Sequence, residues 1–305
     1  MKVGVIGLGW MGKIHLRNYC KMPDVTVVGV VDTDEDTRAA AAEQFGVAAF
    51  ADVAELLSQG PEAVSVCVPT VLHHSVGLQV IASGAHALIE KPLAATAEEG
   101  AELVAAARAK GVRLMVGHVE RYNSAVQRVR EIIGDDVISI SIERVGPYPP
   151  RIQDVGVIKD LASHDLDLIR HLTGSDFKNV YAVTSTSIGK HEDTALITLE
   201  TESGVLANIS TNWVTPYKSR KIHVACESKY VQADLITREV KEYSGFSDYQ
   251  SSYAVREWPL VYSEPVKEEL KAFLGALKSG AEVPITGEDG LKVLECFDRI
   301  FTCGC

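Results

Sequence analysis

The chain contains 305 residues, of which 46% are hydrophobic and 23% are charged. This length predicts about two domains, and the composition excludes intrinsic disorder and collagen-like structure as descriptions of the whole chain. Thirty basic and 41 acidic residues give a net charge of −11. That charge disfavours nucleic acid as a partner, because nucleic-acid-binding proteins present a basic surface to phosphates.

The sequence also disfavours a membrane-spanning protein and a protein stabilised by disulfides. No apolar run approaches the roughly 20 residues that cross a bilayer, and the amino-terminal segment is typical of a strand rather than of a signal peptide. The six cysteines form no CxxC pair, so no zinc or thioredoxin-type motif is predicted. We therefore expect a reduced, cytoplasmic protein.

Residues 1–117 alternate between short apolar runs and helical patterns. The predicted strands are Lys2–Gly7, Val25–Val31, Val64–Val68, His86–Ile89 and Val112–Val116. The predicted helices are Trp10–Cys20, Asp34–Phe45, Asp52–Ser58, His74–Ser83 and Ala97–Ala109. Apolar strands that alternate with helices predict an α/β domain with a doubly wound parallel sheet covered on both faces.

Residues 118–305 follow a different pattern and predict an α+β domain with an open, mostly antiparallel sheet. In Val137–Val145, apolar and polar residues alternate, as in a strand with one exposed face. Further strands are predicted at Asn179–Ile188, Thr194–Leu199, Val205–Trp213, Lys221–Cys226 and Tyr230–Leu235. Helices are predicted at Asn123–Ile133, Leu161–Leu172, Glu264–Lys278 and Glu288–Phe301. We expect the last helix to pack back on the first domain.

A glycine motif joins the first predicted strand to the first helix. Gly7, Gly9 and Gly12 match GxGxxG in the strand–turn–helix context of a dinucleotide-binding loop. Gly7 permits a tight turn, Gly9 lets the backbone approach a pyrophosphate, and Gly12 permits close packing of helix on strand. The helix N-terminus then offers unpaired N–H groups to phosphates.

Asp32 ends the second predicted strand, 20 residues after Gly12. A carboxylate there accepts hydrogen bonds from an adenosine ribose. The following residues include Asp34, Glu35 and Asp36, which would repel a 2′-phosphate, so NAD is favoured over NADP. Arg38 is the one nearby cation, and it leaves NADP as the alternative.

Two groups of polar residues suggest acid–base chemistry. Lys91 follows the predicted strand His86–Ile89, at the sheet edge where ligands bind, and it could hold an alkoxide. Asp160, His164, Asp167 and His171 recur at spacings that place them on one face of a helix, with Asp160 able to orient His164. Solvated lysines and solvated helix faces are the alternative interpretations.

Other candidates carry weaker signals. His73 and His74 follow the predicted strand Val64–Val68 and could line a cofactor, although capping or packing explains them equally well. No group of His, Cys and carboxylates shows metal-ligand spacing, so no metal site is predicted.

Together these motifs resemble the Gfo/Idh/MocA family of nicotinamide-dependent sugar and polyol oxidoreductases. The resemblance rests on GLGWMG near the start, VPTVLH at 68–73, EKP at 90–92 and DLASHDLDLIRHLTG at 160–174. It implies a Rossmann domain followed by an open-sheet domain, and a cis Lys91–Pro92 bond. It also implies that Lys91 and His164 are catalytic, with Asp160 beside them. Ala162 departs from the glycine frequent in the family, but alanine is compatible with a helix.

The resemblance also implies the binding residues. The cofactor-binding residues would be Gly7, Gly9, Trp10, Met11, Gly12, Asp32, Pro69, Thr70, His73, Glu90 and Lys91. The substrate-binding residues would be Lys91, Arg121, Tyr122, Asn123, Tyr148, Arg151, Asp160 and His164.

Within the family, residues 117–126 and 143–157 are similar to the branch that oxidises the 3-hydroxyl of UDP-N-acetylglucosamine or its uronic acid. Four cations could meet the diphosphate of such a substrate or could equally be rim or interface residues: Arg121, Arg144, Arg151 and Lys159. The alternatives are an inositol, simple aldose or biliverdin-like substrate, or a non-catalytic NAD-binding sensor. Family members commonly form homodimers or homotetramers through the exposed sheet face, so a homo-oligomer is expected.

Overall fold

The computed structural model describes residues 1–149, 155–245 and 252–303. The chain divides into two compact units. The first contains Met1–Val119 and Val266–Leu294, and the second contains Glu120–Pro265 and the residues from Glu295 onward. Each unit has its own sheet and its own apolar core.

The first unit is built on a six-stranded sheet in the order β3-β2-β1-β4-β5-β6, and every recorded pairing is parallel. The strands are β1 (Lys2–Ile6), β2 (Thr26–Val31), β3 (Ala49–Phe50), β4 (Ala63–Val66), β5 (His86–Glu90) and β6 (Leu114–Gly117). The central strands are buried along nearly their whole length because helices cover both faces. The predicted parallel sheet is thus confirmed, and β3 is a short addition to it.

Polar side chains cap three of the helices of the first unit. The helices are α1 (Trp10–Tyr19), α2 (Glu35–Phe45), α3 (Val53–Ser58), α4 (His73–Ser83), α5 (Ala97–Lys110) and α8 (Pro265–Ser279). Asp34 caps α2 by accepting the Thr37 N–H, and Thr96 caps α5 by accepting the Glu99 N–H. These caps fix where the capped helices start and so determine the lengths of the loops that precede them.

The carboxyl-terminal part of the first unit adds a further connection to its sheet. The Val116 N–H donates to the Ile285 carbonyl at 3.1 Å, and Met115 pairs with Thr286. Helix α9 (Gly287–Cys303) then begins, and a Cβ added at Gly290 would touch Val116 at 2.7 Å. Its first residues therefore pack directly on β6.

The second unit is built on an eight-stranded sheet in the order β14-β13-β12-β11-β7-β10-β9-β8. The strands are β7 (Val137–Pro147), β8 (Phe177–Ser185), β9 (Thr194–Thr201), β10 (Leu206–Asn212), β11 (Val214–Cys226), β12 (Lys229–Asp234), β13 (Glu239–Ser244) and β14 (Ala254–Trp258). Neighbours are antiparallel except β7 and β10, which pair in parallel. The predicted open, mostly antiparallel sheet is confirmed, whereas β13 and β14 were not predicted.

Helices α6 (Ser124–Ile132) and α7 (Ser163–Thr173) cover one face of this sheet. Helix α6 packs on β12 and β13, and α7 packs on β7. The opposite face leaves apolar side chains exposed on β8, β9 and β10: Tyr181, Val183, Leu196 and Leu206. Within the described residues, no helix combines the length and apolarity that crossing a membrane requires.

Candidate functional site

In the first unit, the glycine loop has the geometry that its sequence predicts. Gly7 has a φ of +87°, and a Cβ there would lie 2.6 Å from the Cys67 carbonyl oxygen. A Cβ on Gly12 would collide with the Gly7 carbonyl oxygen, so the turn closes tightly on itself. A Cβ on Gly9 would meet nothing within 4 Å, which leaves open space at the start of α1. A phosphate placed there would face the free N–H groups of a helix N-terminus.

Asp32 lies next to this loop and fixes its conformation. Its Oδ2 accepts the Leu8 N–H at 2.7 Å, and its Oδ1 accepts the Asp34 N–H at 3.0 Å. Arg38 donates from Nη1 to the carbonyl oxygens of Asp32 and Thr33, at 2.8 and 2.9 Å. The nearby cation is therefore engaged with the backbone of the loop that carries Asp32.

Exposed apolar residues follow the carboxyl ends of two neighbouring strands. Trp10 follows β1 and is 73% exposed, and Val71 follows β4 and is 65% exposed. Val71 lies in a short 3-10 turn, Thr70–Leu72, that starts after Pro69. Apolar side chains beside a glycine loop suit the flat faces of a dinucleotide, so the residues present fit a nicotinamide cofactor.

His73 occupies the interior of the first unit rather than an exposed position. Its Nδ1 lies 2.7 Å from the Pro92 carbonyl oxygen, and its Nε2 lies 2.9 Å from the Val68 carbonyl oxygen. Burial lowers the pKa of His73, against the opposing effect of these two carbonyls. The imidazole thus ties the loop after β4 to the Lys91–Pro92 bond, which is cis, as the resemblance implies.

Glu90 ends β5, Lys91 follows it, and the Glu90 side chain belongs to a buried polar cluster. The Glu90 carboxylate is 7% exposed, and its Oε1 lies 3.1 Å from His15 Nε2. Its Oε2 accepts the Lys91 N–H at 3.3 Å. Lys91 itself is half-buried.

The cluster continues from His15 into the core. His15 Nδ1 lies 3.0 Å from Ser65 Oγ, and that oxygen lies 2.8 Å from the Tyr19 hydroxyl. All three side chains are fully buried. Burial raises the pKa of Glu90, but His15, Lys91 and His73 outweigh it and hold that pKa below its ordinary value.

The same region contains three donor atoms at distances that suit a metal ion. His15, Cys67 and Glu90 offer atoms within 4.8 Å of one another, a grouping that sequence spacing does not reveal. Burial and the charge of Glu90 raise the pKa of the Cys67 thiol well above its ordinary value, which disfavours the thiolate that a metal needs. His15 already has an oxygen at each ring nitrogen, so the cluster is better described as a hydrogen-bonding group.

In the second unit, Asp160 and His164 lie at a junction between two kinds of helix. Residues Ile158–Ala162 form a π-helical turn, and α7 begins at Ser163. Of the four polar residues predicted on one helix face, Asp160 lies in the π turn, whereas His164, Asp167 and His171 keep their predicted spacing within α7. Asp160 and His164 are both half-buried.

Asp165, next to His164, belongs to a buried ion network. Arg144 Nε donates to Asp165 Oδ1 at 2.7 Å, and its Nη1 donates to Glu120 Oε1 at 3.0 Å. Arg220, opposite Arg144 on the adjacent strand, reaches the same Glu120 oxygen at 3.3 Å. Glu120 thus neutralises two like charges that would otherwise repel each other across the strands.

The network shifts the pKa values of its carboxyls in opposite directions. Burial raises the pKa of Asp165 to about 6, although Arg144 opposes the shift. Burial also acts on Glu120, but Arg144 and Arg220 outweigh it and lower that pKa. Arg220 is partly exposed and lies within electrostatic reach of Asp160, which connects the network to the predicted catalytic residues.

Two of the cations that could meet a substrate diphosphate are paired with buried acids and do not form a solvated rim. Arg144 is 1% exposed and Arg121 forms a two-pronged pair with the buried Asp167, at 2.8 and 2.6 Å. Their charges are therefore neutralised inside the unit, and the polar stripe of α7 is not a solvated face. Lys159 lies in the π turn, and Arg151 lies outside the described residues.

The remaining predicted substrate residues have structural partners. Asn123 caps α6 by accepting the Ala125 N–H at 3.0 Å, and its amide donates to Glu120 and to the Leu235 carbonyl. Tyr148 packs edge-on against Trp213 at 5.5 Å, and Tyr122 is half-buried in a 3-10 turn.

Sequence analysis missed both buried networks, but one signal was present. The alternation in β7 that places Ile140 and Ile142 on the covered face also places Arg144 there. A cation on a covered face requires an acidic partner, which the structure supplies as Asp165 and Glu120. For His15, no comparable signal exists, because its partners come from β4 and β5.

Comparison with known proteins gives matches over almost the whole chain. Residues 1–118 match the model described as "Oxidoreductase family, NAD-binding Rossmann fold", and residues 126–232 match the GFO/IDH/MocA C-terminal domain. A UDP-N-acetylglucosamine 3-dehydrogenase from Acidithiobacillus ferrooxidans is 30% identical over 297 residues, covering 96% of this chain and 94% of that protein. A myo-inositol 2-dehydrogenase from Thermotoga maritima is 27% identical, with coverages of 96% and 93%.

Solved structures agree with these matches. That of the Acidithiobacillus ferrooxidans UDP-N-acetylglucosamine 3-dehydrogenase gives a TM-score of 0.93 at 28% identity, covering 100% of this chain and 97% of that one. The WlbA dehydrogenase from Bordetella pertussis, solved with NADH and UDP-GlcNAcA, gives a TM-score of 0.83 with coverages of 99% and 96%. At 24% identity, the second likeness shows a shared fold.

Proposed function

The chain belongs to the Gfo/Idh/MocA family and is an NAD-binding oxidoreductase that acts on CH–OH groups, and from this premise we propose that it is a UDP-N-acetylhexosamine 3-dehydrogenase. The observation that carries the substrate assignment is the likeness to a UDP-N-acetylglucosamine 3-dehydrogenase over 96% of this chain. The likeness to a myo-inositol 2-dehydrogenase makes an inositol the second candidate substrate.

We propose NAD rather than NADP as the cofactor. The Asp32 carboxylate lies at the loop where the adenosine ribose of such cofactors binds, and Asp34 adds a second negative charge. Arg38 is directed to the backbone carbonyls of Asp32 and Thr33. A 2′-phosphate would therefore meet carboxylates without a cation aimed at it.

The proposed chemistry assigns one role to each side chain. The nicotinamide supplies the hydride acceptor when bound. The Lys91 ammonium, at the carboxyl end of β5, stabilises negative charge on the substrate oxygen that loses its proton. His164 accepts that proton, and Asp160 holds the imidazole in the tautomer that can do so.

The glycine loop and the neighbouring strand ends of the first unit would position the cofactor beside Lys91. Gly9 leaves room for the pyrophosphate, and the open start of α1 provides N–H donors to it. Lys91 follows a strand end at the same edge of the sheet as the glycine loop. The side chains beside the loop, above all Trp10, would exclude water from the cofactor.

The test is NAD reduction measured against UDP-N-acetylglucosamine, its uronic acid, myo-inositol and a simple aldose, each with NAD and with NADP. We expect turnover with a UDP-sugar and NAD, and a loss of about 10²- to 10⁴-fold in Lys91→Ala and in His164→Ala, with NAD binding retained. Turnover near the wild-type value in either variant contradicts the catalytic assignment. Activity only with myo-inositol would select the second candidate, and no activity with any compound would favour an NAD-binding sensor.

We also propose that the chain self-associates through the exposed face of β8, β9 and β10. Val183 and Leu196 lie opposite each other there and are 54% and 58% exposed. Apolar side chains grouped on one sheet face are typical of an interaction surface. Light scattering of the purified protein measures the oligomeric state.

A further inference from the structure

The buried polar cluster next to Lys91 has no role in the chemistry above, although burying polar side chains costs free energy. His15, Ser65 and Tyr19 are all fully buried, and Glu90 is 7% exposed. A buried carboxylate is retained only where partners compensate for its lost hydration. Here the partner is His15, whose Nε2 lies 3.1 Å from Glu90 Oε1.

The Glu90 carboxylate connects this cluster to the backbone of Lys91. Its second oxygen, Oε2, accepts the Lys91 N–H at 3.3 Å. On its other side, a Cβ added at Gly117 would lie 3.0 Å from the carboxylate, so the side chain is confined against the β6 backbone. With His15 on one side and Gly117 on the other, the carboxylate has little freedom to move.

Ser65 and Tyr19 fix the orientation of the His15 ring. Ser65 Oγ lies 3.0 Å from His15 Nδ1 and 2.8 Å from the Tyr19 hydroxyl. When one ring nitrogen has a fixed partner, the other is directed to a defined point. The contacts therefore run without a break from Tyr19 to the backbone of Lys91.

We propose that His15 is a positioning residue for catalysis, which acts through Glu90 to fix the backbone from which the Lys91 side chain extends. This inference rests on the proposed function, because it takes Lys91 to be the group that meets the substrate. A displacement of about 1 Å in such a group costs about 10²-fold in turnover.

The experiment uses two substitutions that separate the two contacts of His15. In His15→Asn, the amide can reach Ser65 but not Glu90, whereas in His15→Gln it can reach Glu90. We expect kcat to fall about 10- to 10²-fold in His15→Asn, with the Kd for NAD changed less than about 3-fold, and to recover largely in His15→Gln. His86→Asn, at the other end of β5 where His86 Nδ1 accepts the Arg113 N–H, is the matched control and should keep wild-type kcat.

A double-mutant cycle shows whether His15 acts through Glu90. We expect His15→Asn/Glu90→Gln to be no slower than Glu90→Gln alone, because the two residues act as one unit. Multiplied losses would overturn the proposal, as would wild-type kcat in His15→Asn. Parallel losses of kcat, NAD affinity and thermal stability in both His15 variants would indicate a structural role and would also overturn it. If His15→Asn does not fold, Glu90→Gln alone is the test: kcat about 10- to 10²-fold lower with the Kd for NAD changed less than about 3-fold is expected, and wild-type kcat would overturn the proposal.

A second readout does not require turnover. The rate at which Lys91 is reductively methylated, measured by mass spectrometry, should change in His15→Asn and not in His86→Asn. An unchanged rate would overturn the proposal. Lys91→Ala is assayed beside these variants: if it retains turnover, the proposed function fails, whereas if it loses turnover and His15→Asn does not, only the present inference fails.

Discussion

The two units place a buried acid next to each proposed catalytic residue, but they hold that acid by different means. In the first unit, Glu90 precedes Lys91 and meets the imidazole of His15. In the second, Asp165 follows His164 and meets the guanidinium of Arg144. In each case the acid is buried, while its catalytic neighbour remains half-buried.

The difference lies in how much formal charge is buried. Beyond His15, the first cluster continues through two uncharged hydroxyls, those of Ser65 and Tyr19. In the second network, Arg144 contacts two acids, and Glu120 contacts two arginines. Loss of a hydroxyl therefore removes one weak bond, whereas loss of an arginine leaves charges buried without compensation.

The largest effect should come from removing the central cation of the second network. Arg144→Met leaves Asp165 and Glu120 buried without their main partner, and we expect a loss of about 3–5 kcal/mol in unfolding free energy. Urea unfolding followed by circular dichroism measures it. The double variant Arg144→Met/Asp165→Asn should recover part of the loss, because it buries one uncompensated charge fewer. Equal stability of the two variants would contradict the ionic description.

A smaller effect should appear as a pH dependence. The pKa of Asp165 is raised to about 6, so the stability that its protonated form contributes is fully present below the unfolded-state pKa of about 4. That contribution is lost as the pH rises through about 6. The unfolding free energy of the wild type minus that of Asp165→Asn should therefore fall between about pH 4 and 6 and then level off. A difference that stays constant with pH would show that Asp165 does not titrate in this range.

The smallest effect should come from the hydroxyl end of the first cluster. Tyr19→Phe removes the contact with Ser65 while keeping the ring, and we expect a loss of about 1 kcal/mol. Thermal unfolding measures it, with Tyr181→Phe on the exposed sheet face as the control. A loss as large as that in Arg144→Met would remove the contrast between the two units.

Much of the fold could be predicted because its signals are local. Apolar strand runs, helix caps and the glycine loop depend on residues close in sequence, and the predicted positions of β1, α1 and Asp32 agree with the structure. The alternation of apolar and polar residues that predicts the strands of the second unit also depends only on residues close in sequence. In contrast, β13 and β14 are half-polar strands at a sheet edge, where weak burial leaves a weak pattern.

The buried pairs could not be predicted for a different reason. His15 and Glu90 are 75 positions apart, and only the folded sheet brings α1 against the end of β5. The π turn at Ile158–Ala162 was missed because its composition does not differ from that of an α-helix. The resemblance named Lys91 and His164, yet it assigned Glu90 to cofactor binding rather than to a buried cluster and gave no role to Asp165.

The first unit is discontinuous along the chain, since Val266–Leu294 completes what Met1–Val119 begins. During synthesis, β6 leaves the ribosome long before Ile285 and Thr286, which bond to it. At about 5–20 residues per second, the nascent nucleotide-binding unit waits roughly 10–30 s for its last segment. Throughout that interval, the apolar surface that α8 and the start of α9 will cover is open to chaperones.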